Sequence, residues 1–486
     1  MVYDITQALT HALGLNPAVW SLWISLLIRL IIVATVFLGG ISVIAMFSIW
    51  WERKVAGHMQ SRLGPMHVGL WHGWAQSIAD GVKLILKEDL MPMGADPMLF
   101  RLAPYLAFAP VFAALLALPF GPQFIFEEHL NIGVLYLLAV LAVEVMGVIL
   151  AGWSSNNKWS VFGAMREACQ MVSYEVPLGL AIIAGVLTAG TLQLAELSYL
   201  QGRGIWDWFV FSNPFIFGAC LLYFIASLAS NKRAPFDLPE SESELVAGFH
   251  TEYSGLRFSF FFFAEYAAMF IVGAIQAGLF LGGWNSPLGI VDPVYWAVGY
   301  QPVHAAIQYF NGAIPNAHGL VATAQALGLQ PHGGLSPLLA MLILNVYCAA
   351  WFVIKAMGIV FVQIWLRWTL PRIRIDQVLY ACVKALLPAS LVTLLGTAVW
   401  IWLVPQPGAA ELGPDLTIQR LGHIVNIAPP LQLITQIVLT ILGVALVAAC
   451  VGVVLWAFIF GRRETKRSLF TDVMPVGREI AFTKGA

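Results

Sequence analysis

Apolar stretches of bilayer length recur nine times along the chain, separated by short polar runs. They cover 28–51, 104–120, 132–152, 168–190, 214–229, 259–284, 336–366, 385–405 and 434–460. Each is long and apolar enough to cross a hydrocarbon core of about 30 Å as a helix. The second and fifth are short and proline-bounded. Between the first and second stretches the pattern changes. Trp71, Trp74, Ile78, Val82 and Ile85 recur at spacings of 3, 4, 4 and 3, while Asp80, Lys83 and Lys87 fall on other faces. That periodicity predicts an amphipathic helix lying in the membrane interface. By periodicity alone, such a helix is a membrane anchor. The fold class is therefore all-α, a polytopic transmembrane helix bundle of about nine spans plus an interfacial helix.

Composition agrees. The 486 residues are 59% hydrophobic and 10% charged, against roughly 25% charged in soluble domains. A net charge of −1 gives no hint of nucleic-acid binding. The five cysteines lie in or beside apolar segments without a CxxC pair, which argues against disulfides, zinc sites and cysteine-ligated iron–sulfur clusters. All ten histidines fall outside the central spans, so no pair on facing helices is available for a b-type haem. No basic region precedes an apolar run at the N-terminus, and no cleavable signal peptide is expected.

Lysine and arginine set the expected orientation. With the loop from Trp51 to Ala103 in the cytoplasm, 21 of the 25 basic residues lie inside. Arg29, Arg203 and Arg420 lie outside, and Lys355 lies within a span. The N-terminus is then outside and the GRRETKR tail inside, with the interfacial helix on the cytoplasmic side. The outer segments 285–335 and 406–433, rich in Gly, Pro, Asn and Gln, read as accessory loops.

Acids placed at membrane depth carry the candidate chemistry. Glu175 sits about 10 Å into the fourth span, Glu265 about 10 Å into the sixth and Glu144 about 12 Å from the end of the third. All three share a level in the cytoplasmic half. Each would cost roughly 2.5–3.5 kcal/mol facing lipid at a helix centre, so a polar interior is expected. Desolvated carboxylates there are suited to taking up and releasing protons. The bland alternative pairs them with Arg166, Lys158 or Lys355. Directly below lies PFDLPESESEL, with Asp237, Glu240, Glu242 and Glu244, followed by Glu252. Taken alone that run reads as a helix start, with proline early and acids complementing the dipole. Arg53 and Arg62 read as positive-inside markers, whereas Lys355 in mid-span demands a partner or a wet cavity.

The ordered segments WERKVAGHMQSRLGP, DGVKLILKED, AGWSSNNKWSVFGAMREACQMVSYEV, RAPFDLPESESELVAGFHTEYSG, FFFAEYAAM and WLRWTLPRIRIDQ closely resemble the H subunit of bacterial NADH:quinone oxidoreductase. That family is the counterpart of mitochondrial NADH dehydrogenase subunit 1 in respiratory complex I. The resemblance spans roughly residues 28–400, far more than one short motif. It implies a membrane subunit of a proton-pumping complex in the bacterial inner membrane, with quinone as substrate and no tightly bound cofactor or metal on this chain. It also implies flavin and iron–sulfur clusters in hydrophilic partner subunits, and antiporter-like membrane subunits as neighbours. Arg53, Arg62 and Asp80, with Trp71 and Trp74 of the interfacial segment, would belong to the quinone tunnel. Glu175, Asp237, Glu240, Glu242, Glu244, Glu252 and Glu265 would belong to the acidic path, and Lys355 also matches the family pattern.

The chain departs from that pattern. The family reads Ala-Glu-Thr-Asn before RAPFDL, where this chain has Ala229, Ser230, Asn231 and Lys232. A carboxylate is thus missing at Ser230, while Glu144 and Glu167 stand where small residues are expected. Glu144 is the expected replacement in the path. Residues 1–405 make up the family-like domain, with the outer insertion 285–335. An extra loop, ninth span and basic tail fill 406–486. The rival readings are the equivalent subunit of a membrane-bound hydrogenase or ferredoxin-linked complex, and a stand-alone cation/proton antiporter.

Overall fold

The computed structural model describes residues 23–25, 27, 28, 31, 35, 39–69, 72–125, 130–239, 242–310, 314, 320–329 and 336–403. Every regular element among them is helical. The principal helices are α1 (Gly39–Met59), α2 (Gln76–Leu86), α3 (Pro97–Leu115), α4 (Gly133–Ser154), α5 (Lys158–Ala189), α6 (Pro214–Ser230), α7 (Gly255–Phe280), α8 (Pro337–Thr369) and α9 (Leu387–Leu403). Six described stretches are long and apolar enough to span a membrane: α3, α4, α5, α7, α8 and Ile375–Trp402. The last continues into α9 through a π-helical turn, Ala381–Leu386. Helix α6 is a shorter apolar helix. The expected ninth span, the loop 406–433 and the basic tail lie outside the described residues.

Local chemistry moves several expected boundaries. Asp96 accepts hydrogen bonds from the Met98 and Leu99 amides, with Pro97 at the first helical position. This starts α3 seven residues before the expected 104. Asn157 caps α5 through the Trp159 amide, so that helix begins at Lys158 instead of 168. It ends where Gly190 adopts a left-handed conformation. The interfacial helix is shorter than its periodicity suggested. Trp74 precedes α2, because His72 and Gly73 turn the chain through positive φ.

Helix α7 is the central post, with nearly every residue from Ala264 to Phe280 buried. It packs against α1, α3, α6 and α8, while α5 lies against α4, α6 and α9. The close approach of α4 to α3 needs Gly147, since a Cβ there would strike the Ala107 backbone. The insertion after α7 is better packed than an accessory loop. It contains the helices Pro293–Val298, Pro302–Phe310 and Leu320–Ala326, and buries Tyr295 and Tyr300 in the main apolar core.

The connections α1–α3, α4–α5, α6–α7 and α8–α9 gather at one end of the bundle. The Asp96 amide donates to Ser154 O, Ser254 Oγ to Glu88 O, and Arg372 to Asp237. This loop end is where the candidate chemistry lies.

Candidate functional site

The segment joining α6 to α7 is folded under the bundle and held from two sides. Gln170 of α5 donates to the carbonyls of Ala229 and Phe236 at 2.7 and 3.0 Å. From α8, Gln363 accepts from Asn231 Nδ2 at 3.1 Å. Another close approach occurs where the turn Gly248–His250 crosses α5. A Cβ on Gly163 would lie 2.7 Å from the Phe249 amide nitrogen. Pinned in this way, consecutive cations Lys232 and Arg233 project into the interior, 5% and 1% exposed.

Arg233 is the hub of the first cluster. Its Nη1 donates to both oxygens of Glu52 at 3.3 and 3.1 Å, and its Nε lies 3.0 Å from Glu265 Oε1. Glu52 also accepts from Arg367 at 2.6 Å and from the Tyr266 hydroxyl at 2.7 Å. The Arg233 guanidinium stacks over the Tyr266 ring, 4.5 Å from its centroid. Burial works against the Arg233 charge, but the Glu265 and Glu52 carboxylates outweigh it and raise its pKa well above the usual arginine value. Two acids and two arginines make this cluster neutral. Compensation of this kind is what buried charge requires.

The second cluster is one residue away in sequence. Lys232 Nζ lies 3.7 Å from Glu144 Oε1 of α4 and 3.7 Å from Glu167 Oε1 of α5. Glu144 also borders a small cavity, together with Tyr174, Glu175, Tyr223, Ser230 and Asn231. The acids expected at one level are thus brought together. Glu144 and Glu175 line one space, and Glu265 acts electrostatically on Glu144 from α7. The expected alternative partners are not the ones used. Arg166 pairs with Glu244 at 2.6 Å, and the deep acids Glu144, Glu167 and Glu265 are met by Lys232 and Arg233.

The loop acids are dispersed along the same end. Asp237 is buried and pairs with Arg372 at 2.9 Å. Glu252 accepts from Asn157 at 2.5 Å. Glu244 is exposed. Glu240 and Trp71 lie outside the described residues, and of Glu242 only the backbone, opening the turn Glu242–Leu245, is described.

The corner formed by α1, α2 and α7 holds the other candidates. Arg53 and Asp80 pair at 2.5 Å, 40% and 31% exposed, and Gln76 also donates to Asp80. Trp74, Ile78, Val82, Ile85 and Leu86 leave an exposed apolar face along this corner, the face a membrane interface would cover. Arg62 is exposed just beyond α1. Lys355 stands elsewhere. Its ammonium donates to the carbonyls of Leu281, Gly283 and Asn285 at 2.7, 3.0 and 2.6 Å. That group lies beyond the far end of α7, about 24 Å along the helix from Glu265.

Glu52, Lys232, Arg233 and Arg367 are the residues that sequence reasoning did not assign. Each sits at the edge of an apolar run, where it reads as an ordinary boundary charge. Only the fold reveals that the segment bearing Lys232 and Arg233 turns inward.

A family profile described as NADH dehydrogenase matches residues 23–398. The chain is 43% identical over 375 residues to the NADH-quinone oxidoreductase H subunit of Chlorobaculum tepidum, covering 76% of this chain and 92% of that protein. The same-named protein of Anaeromyxobacter dehalogenans is 40% identical over 405 residues, covering 82% and 89%. That of Geobacillus thermodenitrificans is 41% identical over 353 residues, covering 73% and 88%.

Proposed function

The chain belongs to the family of NADH-quinone oxidoreductase H subunits, and from that premise we propose that the corner of α1, α2 and α7 receives the quinone, while the buried acids behind it carry the coupled protons. It is a membrane subunit of an oxidoreductase complex and supplies no complete active site alone. The hydrogenase-like and antiporter readings are the less supported ones.

One observation carries the assignment of roles. Arg233 bridges Glu52 in the C-terminal half of α1 to Glu265 inside α7, so a single buried cation connects the quinone corner to the acidic interior. A change of charge at the corner is therefore felt by Glu265 through one side chain, in a medium where charges are weakly screened. The path then runs from Glu265 to the cavity bordered by Glu144 and Glu175. Asp237, Glu244 and Glu252 line its loop-end approach, with Glu240 and Glu242 in the same run. Arg53, Arg62 and Asp80 flank the quinone entrance, with Trp71 and Trp74 beside it in the interface. Lys355 is left outside the path, since its donors are directed to backbone carbonyls.

The loop end is the docking face for the hydrophilic subunits that deliver electrons, and antiporter-like subunits flank the bundle. The basic-residue count supports placing that end in the cytoplasm of a bacterium, with the chain in its inner membrane and the N-terminus outside. The reading is tested by separating the two halves of the reaction in membranes. Substitution of the path acids should lower quinone reduction and proton uptake together, with ferricyanide reduction by NADH unchanged. Wild-type quinone reduction and proton uptake in those variants would refute it.

A further inference from the structure

Helix α6 ends in a Schellman motif: the Lys232 amide donates to Ala229 O at 3.3 Å and the Arg233 amide to Leu228 O at 3.1 Å. This ending needs a left-handed residue at the position Lys232 occupies, where glycine or asparagine is the usual choice. Lys232 is there with φ +53°. A long cationic side chain gains nothing from that backbone conformation, and such outliers persist where surrounding contacts over-determine them. Those contacts are Glu144 on one side, Glu167 on the other and the Phe249 ring at 5.5 Å.

The charges of this group do not cancel. Among the described residues two carboxylates share one ammonium, so this trio, fully ionised, carries one net negative charge in a buried setting. One added proton makes it neutral, which is the favoured way to relieve uncompensated buried charge. The geometry is symmetric, with 3.7 Å to each acid, too long for a hydrogen bond to either. Among the described residues, none donates a hydrogen bond to either oxygen of Glu167. A cation shared evenly between two carboxylates can shift towards whichever of them is ionised. The cavity beside Glu144 offers about 50 Å³ to the centres of water molecules, and about 10–15 Å³ holds one water. It therefore has room for a short water chain between Glu144 and Glu175.

We infer that Glu144, Lys232 and Glu167 form a one-proton relay that replaces the carboxylate absent at Ser230. The relay rests on the acidic path proposed above and deepens it. A proton arriving at Glu167 neutralises that carboxylate, and Lys232, keeping all three of its protons, moves its pairing to Glu144. Lys232 then gives one proton to Glu144 as it takes the one held by Glu167, so the ammonium keeps its charge and pairs again with Glu167, and Glu144 delivers its proton through the cavity towards Glu175. No other group changes charge. Relative to the family pattern, Ser230 loses a negative charge and Lys232 adds a positive one. Glu144 and Glu167 restore both.

The test removes one acid and the cation together and so leaves the net charge of the cluster unchanged. In the double variant Glu167→Gln/Lys232→Asn one acid and the cation disappear together, and asparagine suits the left-handed position. Ferricyanide reduction by NADH in washed membranes reports assembly. The relay predicts that quinone reduction per assembled complex falls at least about tenfold, short of the roughly 100-fold or more that a positioned proton carrier contributes, because Glu144 remains. Adding Ser230→Glu to the double variant restores it. A purely structural pair would leave the double variant at the wild-type rate, and that result overturns the inference. So does a loss that Ser230→Glu fails to restore. Glu175→Gln and Glu265→Gln serve as controls. If both keep full activity, the acidic path itself is wrong. If both lose activity while the double variant does not, only the relay is wrong.

Discussion

The Glu52 carboxylate in the C-terminal half of α1 meets the Arg367 guanidinium at the end of α8 across 2.6 Å, joining residues 315 positions apart in the chain. Arg233 and the Tyr266 hydroxyl complete the ring around that carboxylate. The contact ties the proposed quinone corner to the end of α8. Removing one partner of a buried pair strands the others, at a cost of about 3–5 kcal/mol. For Glu52→Gln the lower end applies, about 3 kcal/mol, because Arg233 keeps Glu265 and Arg367 is 26% exposed. The expected outcome is reduced assembly and faster thermal inactivation of the solubilised complex. Unaltered inactivation kinetics would show that the ring does not stabilise the fold.

Arg53 provides the opposite case. Its pair with Asp80 is half-buried on both sides, and pairs that keep this much contact with solvent are worth about 1 kcal/mol. Arg53→Ala should therefore assemble normally. Its expected defect is functional: impaired quinone reduction with undiminished reduction of ferricyanide. Equal loss of both activities would mean that Arg53 serves assembly instead of the quinone entrance.

Hydrophobic periodicity made the helices legible, because spans of bilayer length leave few alternatives. The boundaries were less so. The starts of α3 and α5 depend on the caps Asp96 and Asn157, single side chains whose role is clear only once their partners are seen. The depth of Glu144, Glu175 and Glu265 was readable from residue counting, and these acids do gather around one cavity and its neighbouring cluster. Their cations were not readable. Lys232 and Arg233 lie just past the end of α6, where a solvated loop would be expected, and only the inward fold held by Gln170 and Gln363 buries them. Lys355 was visible as a costly mid-span charge, but its carbonyl partners come from an irregular turn that periodicity cannot describe.

Glu175→Gln and Glu265→Gln preserve side-chain shape and remove the capacity to carry a proton. Both should lower quinone reduction and proton pumping together in sealed vesicles, by up to about 100-fold, the lower end of a positioned proton carrier's contribution. The two should differ in stability. Glu175 borders the cavity with no ion pair among the described residues, whereas Glu265 shares Arg233 with Glu52. Glu265→Gln is thus expected to inactivate faster on heating and Glu175→Gln at the wild-type rate. Full pumping in both variants, with assembly verified by ferricyanide reduction, would remove these residues from the path.

Lys355 separates an energetic role from a proton-carrying one. Three carbonyls converge on its ammonium, which has three N–H donors to offer, and the Trp208 ring lies 4.3 Å away. The carbonyls follow the last turn of α7, where an unsatisfied helix end favours positive charge. Hydrogen bonds to a charged group contribute about 1.5–3 kcal/mol each, and stranded carbonyls add a desolvation cost. Partial relaxation of the turn offsets some of that loss, so Lys355→Met should cost about 3 kcal/mol. The expected result is a lower inactivation temperature, with quinone reduction and pumping per assembled complex near the wild-type level. Lys355→Arg, which keeps the charge but replaces the compact ammonium with a planar fork, should recover part of the stability. A Lys355→Met complex that assembles, resists heat like the wild type and yet fails to pump would place Lys355 in the proton path and not at the end of α7.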